Sequence, residues 1–464
     1  MKPIKVLSTP SVETPGAGGL REMLAISAPM VISHACETLL IFIDRLFLSR
    51  LGPEPMNAAM AGGLTSFMLM TFFIGLIGYT TALVAQYFGA GRKNQCPVVF
   101  SQAVILTVPA VLLIFACRPL GHLLFAVTDI PPLQREQQQL YFDILLYGAP
   151  LVLLRTALAG FFSGIGHTRI VMVSALVAMC VNVCANYVLI FGHLGMPALG
   201  LRGAAYGTLF SSFCALLVLL LCYLGRSNRR TFTLAAPWAL QRTTMVKLLR
   251  YGWPAGAEMF LNLLAFTLLI LIFHSHGLVT ATAVTIVFNW DLVSFVPLLG
   301  IQIGVVSLVG RYMGAGRPDI AERTALSGLK MGWAYSSVIL VLFVVFPQQL
   351  VDLFAPAEAN DLFTRAAPLA VDMLRLASLY VLADAIMVVF SGALRGAGDT
   401  LWAMGLSVTM HWLLIPVILA CLYLFNLGPL AAWLALIVCF LIFSGLFYLR
   451  FRSGRWKTLV MTGD

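Results

Sequence analysis

Five acidic residues stand inside long uncharged runs of the chain: Glu37, Asp44, Glu258, Asp291 and Asp384. A carboxylate in such a setting is costly to keep, so it is retained where it binds or moves charge. The chemistry open to these groups is reversible capture of a small cation. Two facing carboxylates in a low dielectric cannot both stay ionised alone, so one takes a proton or the pair binds Na⁺. Glu258 lies eight residues beyond Arg250, about 12 Å along a helix, and Asp384 lies eleven before Arg395, about 16 Å. The two are expected to meet at one level as a coupling site.

A second set is built differently. Asn182 and Asn186 are four apart, so both amides share one helix face. They fall about 20–25 Å along their helix from Arg169, a level that Asp44 can reach. One carboxylate with two amide oxygens suits a hard cation such as Na⁺, and protonation of Asp44 serves as well. Amides that join helices by hydrogen bonds are the plainer alternative. Glu37, two turns before Asp44 and three residues after His34, suits either a cavity wall that attracts cations or a packing hydrogen bond to His34. Asn289 and Asp291 are candidates for substrate contact, and His411 for a hydrogen bond between helices.

Other chemistries lack their residues. No Walker pattern, HExxH motif or nucleophile–base set occurs, which argues against an ATPase, a metalloenzyme or another membrane-embedded enzyme. The nine cysteines form no CxxC pair and read as small packed residues.

The elements that must carry the acids are membrane helices. The chain is 60% hydrophobic and 10% charged, against about 25% charged in soluble domains. A hydrocarbon core about 30 Å thick takes roughly 20 apolar residues per helix. Runs of that kind fall at 22–48, 56–88, 98–117, 140–163, 170–192, 203–224, 250–274, 279–310, 330–347, 366–392, 401–424 and 429–450. Twelve spans put both termini on one side. Of the 29 Lys and Arg residues, 21 lie in the tails and loops of that side, which the positive-inside rule makes cytoplasmic. The expected organisation is a flexible cytoplasmic tail (1–21), an N-lobe of six spans (22–224), a cytoplasmic linker (225–247), a C-lobe of six spans (248–450) and a cytoplasmic C-terminal tail (451–464). No cleavable signal peptide is visible.

The lobes repeat each other. Val84–Arg92 reads VAQYFGAGR and Val309–Arg317 reads VGRYMGAGR, 225 positions on. The same step pairs Pro29 with Pro254 and Gly52 with Gly277. Gly164–Thr168 pairs with Gly396–Thr400 at 232, and Ala204-Ala-Tyr206 with Ala431-Ala-Trp433 at 227. A repeat of six spans re-enters the membrane from the same side, so the two lobes are related by an axis along the membrane normal. The acids do not follow the repeat: Glu258 pairs with Ser33, Asp44 with Leu269 and Asp384 with Val152. The GAGR loops read as tight turns carrying a topological arginine.

These residues resemble the multidrug and toxic compound extrusion (MATE) family, nearest its NorM-like branch. The resemblance runs from about Arg21 to Arg450. It is carried by Pro29 with Asp44, the GAGR loops, Asn182 with Asn186, Gly252-Trp-Pro254 with Glu258, and Asp384 ahead of Ser391–Gly396. It implies export of organic cations and drugs, driven by inward flow of Na⁺ or H⁺ through a V-shaped, two-lobed carrier. Na⁺ is then expected at the coupling residues, with no cofactor beyond the coupling ion. A cavity lined from the 19 Met and 31 Phe residues would accept varied aromatic cations. The expected setting is the bacterial inner membrane, as a monomer with no nucleic-acid partner. A flippase for lipid-linked sugars is the same-group alternative, and the acidic intramembrane charges favour cationic cargo over it. A channel is the third reading, distinguished by current without a coupled gradient.

Overall fold

The computed structural model describes residues 16–127, 131–232, 239–355, 361–459 and 461. Apolar surroundings leave backbone polar groups no partner but each other, and the described chain is accordingly helical throughout its long elements. The N-lobe comprises α1 (Leu20–Ser49), α2 (Pro53–Gly78) with its continuation α3 (Thr80–Gly89), and α4 (Gln95–Ala116) with α5 (Arg118–Val127). It is completed by α6 (Pro132–Tyr147), α7 (Ala149–Gly164), α8 (Thr168–Phe191) and α9 (Leu201–Tyr223). A short α10 (Arg226–Thr231) precedes the C-lobe. That lobe holds α11 (Arg242–Ser275), α12 (Leu278–Gly314), α13 (Pro318–Val345), the short α14 (Pro347–Asp352), α15 (Asp361–Ala397), α16 (Thr400–Leu419) and α17 (Pro429–Arg452).

Among the described residues eleven helical stretches are long and apolar enough to cross a membrane. The twelfth expected span is a broken one: α6 and α7 meet at 45°. The break falls at Gly148, just ahead of Pro150, whose missing N–H cannot continue the α6 ladder. Several spans outrun their apolar runs on the side of the chain termini, hereafter the terminal side. α11 starts at Arg242, so the last residues of the expected 225–247 linker belong to a helix. Residues 1–15 of the N-terminal tail, 233–238 of the linker, and 460 and 462–464 of the C-terminal tail lie outside the described residues. The rest of the C-terminal tail is docked. Trp456 is fully buried and stacks on Phe451, and Tyr79 of the N-lobe donates its hydroxyl to the Met461 sulfur at 3.1 Å.

The lobes touch through equivalent surfaces. α1 packs on α12, and its repeat counterpart α11 packs on α2. Gly300 has no room for a Cβ against Val31, and Gly75 has none against Gly256; each C-lobe partner is the 225-step equivalent of the other contact's N-lobe residue. Ala85 and Gly310, also equivalents, touch each other, so the pseudo-two-fold axis passes between them. Around the axis, Gln86 Nε2 donates to Gly396 O at 2.9 Å. Its equivalent Arg311 lies against Gly166 and over the Phe88 ring, 5.3 Å from the centroid. Residues that the reading as simple turns left aside thus form the clasp between the lobes.

Every one of these contacts lies in the terminal-side half. The two apolar clusters that mix lobes take their foreign members from there too. Leu248, Ala255 and Val306 join the N-lobe cluster, and Met23, Ile26 and Val31 the C-lobe cluster. The clusters of the far half hold one lobe each. Beyond Val31 and Gly300 the lobes therefore part, leaving a cleft that opens on the far side.

Candidate functional site

In the N-lobe the expected set assembles. Asp44 of α1, Asn182 and Asn186 of α8, and Thr208 of α9 come together because these three helices pack on one another. Asp44 is 8% exposed and both asparagines are fully buried. The Asn186 amide nitrogen donates a hydrogen bond to Asp44 Oδ1 and a second, at 3.1 Å, to Asn182 Oδ1. Asn182 Nδ2 donates to the Thr208 hydroxyl at 3.4 Å, which stands 3.3 Å from Asp44 Oδ2. Asn186 therefore meets the carboxylate with its nitrogen and Asn182 reaches it only through Thr208, whereas the sequence suggests both amide oxygens facing a cation. Asn186 Oδ1 is the acceptor left over, buried with no hydrogen-bond partner. That oxygen lies against Gly207, while the nitrogen of the same amide faces Asp44. Thr208, absent from the sequence reading, sits one turn after Ala204 in the repeat motif and was legible only as a small helix-packing residue.

The C-lobe acids are arranged otherwise than expected. Glu258 and Asp384 are both buried, 3% and 4% exposed, yet no hydrogen bond or ion pair joins them among the described residues. Glu258 Oε1 instead accepts from Arg395 Nη2 at 2.6 Å, and its Oε2 has no partner. The reason is level. Glu258 is two residues past the Gly256 contact, at the cleft floor, and Arg395 lies about 16 Å along α15 from Asp384. The sequence-derived depths took the two helix ends as equal marks. α11 runs on past Arg250 to Arg242, so Arg250 does not mark its end.

Asp384 has a different neighbour, Asp291 of α12, which interacts with it electrostatically. Tyr380, one turn before Asp384, donates its hydroxyl to Asp291 Oδ1 at 2.5 Å. Asp384 Oδ1 is buried with no hydrogen-bond partner. Tyr380 thus ties Asp291, about 13 Å beyond Gly300 on α12, to the turn of α15 before Asp384. The spacing of Tyr380 and Asp384, one face of one helix, was the signal for the phenol. Asn289 does not join this group. It is exposed and its amide donates at 2.7 Å to Thr285 O of its own helix.

Glu37 stands by His34, one of its two expected environments, and has a partner the sequence reading did not name, Arg155. Its Oε1 accepts from Arg155 Nη2 of α7 at 3.0 Å, and His34 Nδ1 stands 3.4 Å from Oε2. Its side chain is 42% exposed and so lies outside the packed core. His411 Nδ1 bonds Ser407 O at 2.8 Å within its own helix, not between helices. Among the described residues no group of three His, Cys, Asp or Glu side chains is set to hold a metal, and every cysteine described is unpaired.

Comparison with known proteins agrees with this architecture. The family described as MatE matches the chain over residues 29–188 and 254–420, the two lobes separately. The chain is 28% identical over 403 residues to multidrug resistance protein MdtK of Edwardsiella ictaluri, covering 85% of each. It is 26% identical over 458 residues to the probable multidrug resistance protein NorM of Thermotoga maritima, covering 96% of this chain and 95% of that one. Among solved structures, an outward-facing conformation of a multidrug resistance MATE family transporter superposes with a TM-score of 0.85 at 20% identity, covering 97% and 99% of the two chains. A transporter of the MOP superfamily from Pyrococcus furiosus gives 0.85 at 21%, covering 96% and 99%.

Proposed function

We propose that this chain, which belongs to the MatE family, a family of transporters rather than enzymes, exports organic and often cationic compounds in exchange for Na⁺ or H⁺. The observation that carries the reading is the pairing of a terminal-side clasp with buried acids inside the lobes, Asp44, Glu258 and Asp384, the last two each with an acceptor oxygen unfilled. Burial makes a bare carboxylate expensive, so each site favours the lobe arrangement in which a cation or proton reaches it. An ion that binds better when the cleft is open outward, and a substrate that competes with it, are coupled by that difference alone.

The excess of Lys and Arg on the terminal side supports cytoplasmic termini in a bacterial inner membrane, which makes the cleft outward-facing. In that state ion entry at Asp44 with Asn182 and Asn186, or at Asp384 with Asp291 and Tyr380, releases substrate to the outside. Glu258, clamped by Arg395 at the cleft floor, gains access to an ion only when the terminal side opens. The chain functions as a monomer, since one chain supplies both lobes and both site sets.

Proteoliposomes with separately imposed Na⁺ and pH gradients test the proposal, using fluorescent organic cations as cargo. One gradient should drive accumulation against the cation's own gradient. Asp384→Asn and Asp44→Asn should each lower the driven rate by about tenfold or more, a loss of about 1.4 kcal/mol of coupling. Undiminished driven transport in both variants, with wild-type insertion, would refute the assignment.

A further inference from the structure

Arg155 is a basic residue within a membrane span, and its place in the cleft gives it a role. α1 follows α12 as far as Val31, and Glu37 lies six residues, about 9 Å, beyond that contact. On α7, Ser163 accepts a bond at 2.5 Å from Ser307 of the opposite lobe, and Arg155 lies eight residues, about 12 Å, further out. Met30 meets Ser163 across the same two helices, so Glu37 and Arg155 form the next contact of that seam. Both side chains stay partly exposed, 42% for Glu37 and 29% for Arg155. The pair therefore sits on the N-lobe wall just above the floor of the cleft. His34 shares the α1 stripe of Ser27 and Val31 that faces the other lobe, and it steadies the second carboxylate oxygen. The repeat marks the cluster as specific to one wall: the equivalents of Glu37 and Arg155 are Asn262 and Met387.

We propose that Arg155 is an internal stand-in for the cationic substrate, holding Glu37 when the cleft is empty and giving it up to the positive group of the cargo. The inference rests on the export reading above and names the charge that the cargo meets. A carboxylate on the cleft wall must be matched in every state of the cycle, including the return without cargo. Arg155 meets that need without an ion from solution. Binding then exchanges one cation for another on Glu37, so the affinity for a cation is set by how firmly Arg155 competes. A cargo with no positive group leaves the pair closed and gains nothing from Glu37.

Equilibrium binding to the purified full-length chain in detergent, with no gradient, tests this. The probes are rhodamine 6G, a monocation, and rhodamine B, a zwitterion at neutral pH on the same ring system. Removing the competitor with Arg155→Gln should tighten rhodamine 6G binding by about tenfold, and Glu37→Gln should weaken it by a similar factor. The double variant should match Glu37→Gln alone, since Arg155 acts through that carboxylate. Rhodamine B should respond less to every change. Arg155→Lys, whose ammonium holds a carboxylate less firmly than a guanidinium, should fall between wild type and Arg155→Gln, and it carries the test if Arg155→Gln does not fold. Unchanged or weaker rhodamine 6G binding in folded Arg155→Gln or Arg155→Lys overturns the proposal. Absence of rhodamine 6G binding to the wild-type chain would overturn it together with the export reading.

Discussion

The terminal-side halves of the two lobes are near copies, and the far-side halves are not. Where the lobes touch, contacts come in equivalent pairs: Val31 on Gly300 and Gly256 on Gly75, with Ala85 meeting its own counterpart Gly310. Where the lobes part, scaffold positions such as Gly52 and Gly277 still match but the polar residues do not. Asp44 answers to Leu269, Glu37 to Asn262, Asp384 to Val152, and Asn182 and Asn186 to the buried Leu414 and Ile418. The difference separates two demands on one fold. A surface on which two lobes rock must fit from both sides, so the duplication is kept there. Sites that take different ions or cargo gain nothing from being alike, so their chemistry drifted apart while the helices that hold them did not.

The comparison breaks most visibly at the small residues of the contact. A Cβ at Gly75 would come within 2.7 Å of Ala255 O, and one at Gly300 within 2.5 Å of Val31 N. Gly75→Leu and Gly300→Leu should therefore each abolish efflux while leaving the lobes folded. Both should also open the terminal side to a membrane-impermeant thiol reagent aimed at a single cysteine placed there. If one variant works normally and the other fails, the contact symmetry has no functional meaning.

The next effect belongs to an asymmetry inside the terminal-side half, at Glu258 and Arg395. Arg395, 25% exposed, neutralises the buried Glu258, and the equivalent of Glu258 is Ser33, which bonds Pro29 O of its own helix at 2.8 Å. Arg395→Met leaves a buried carboxylate alone and should cost about 3–5 kcal/mol of stability. Glu258→Met with Arg395→Met should recover most of that loss, since a well-packed apolar pair can replace a buried ion pair. Thermal unfolding in one detergent reads both. A single variant as stable as wild type would mean that Glu258 is not buried in the working protein.

How much of this was legible beforehand follows the same division. The lobes, the axis and most spans were written in apolar length and in motifs such as VAQYFGAGR, because hydrocarbon thickness and backbone satisfaction constrain sequence strongly. Asp44 with Asn182 and Asn186 was readable from level and helix face. The partner of Glu258 was not, because Arg395 was used only as a marker of a helix end and a long side chain reaches more than one level. Asp291 with Asp384 was likewise hidden, since residues 93 positions apart share no periodicity and meet only when α12 packs on α15. The break at Gly148 was masked by apolar residues that continue on both sides of it.

The finest test separates the lobes by a single hydroxyl. Thr208 stands 3.3 Å from Asp44 Oδ2 and accepts from Asn182, whereas its counterpart 227 positions on is Ala435. Thr208→Val keeps the shape and removes the bridge, so it should cost about 0.5–1.5 kcal/mol of stability. It should also weaken ion-driven efflux by a few-fold, because Asp44 loses a hydrogen-bond donor. Ala435→Thr, which adds a hydroxyl where no carboxylate waits, should leave the ion dependence of efflux as it was. Equal responses in the two lobes would mean that the hydroxyl acts on helix packing in general, and the distinction drawn between a shared scaffold and a lobe-specific site would fail at the residue where it is sharpest.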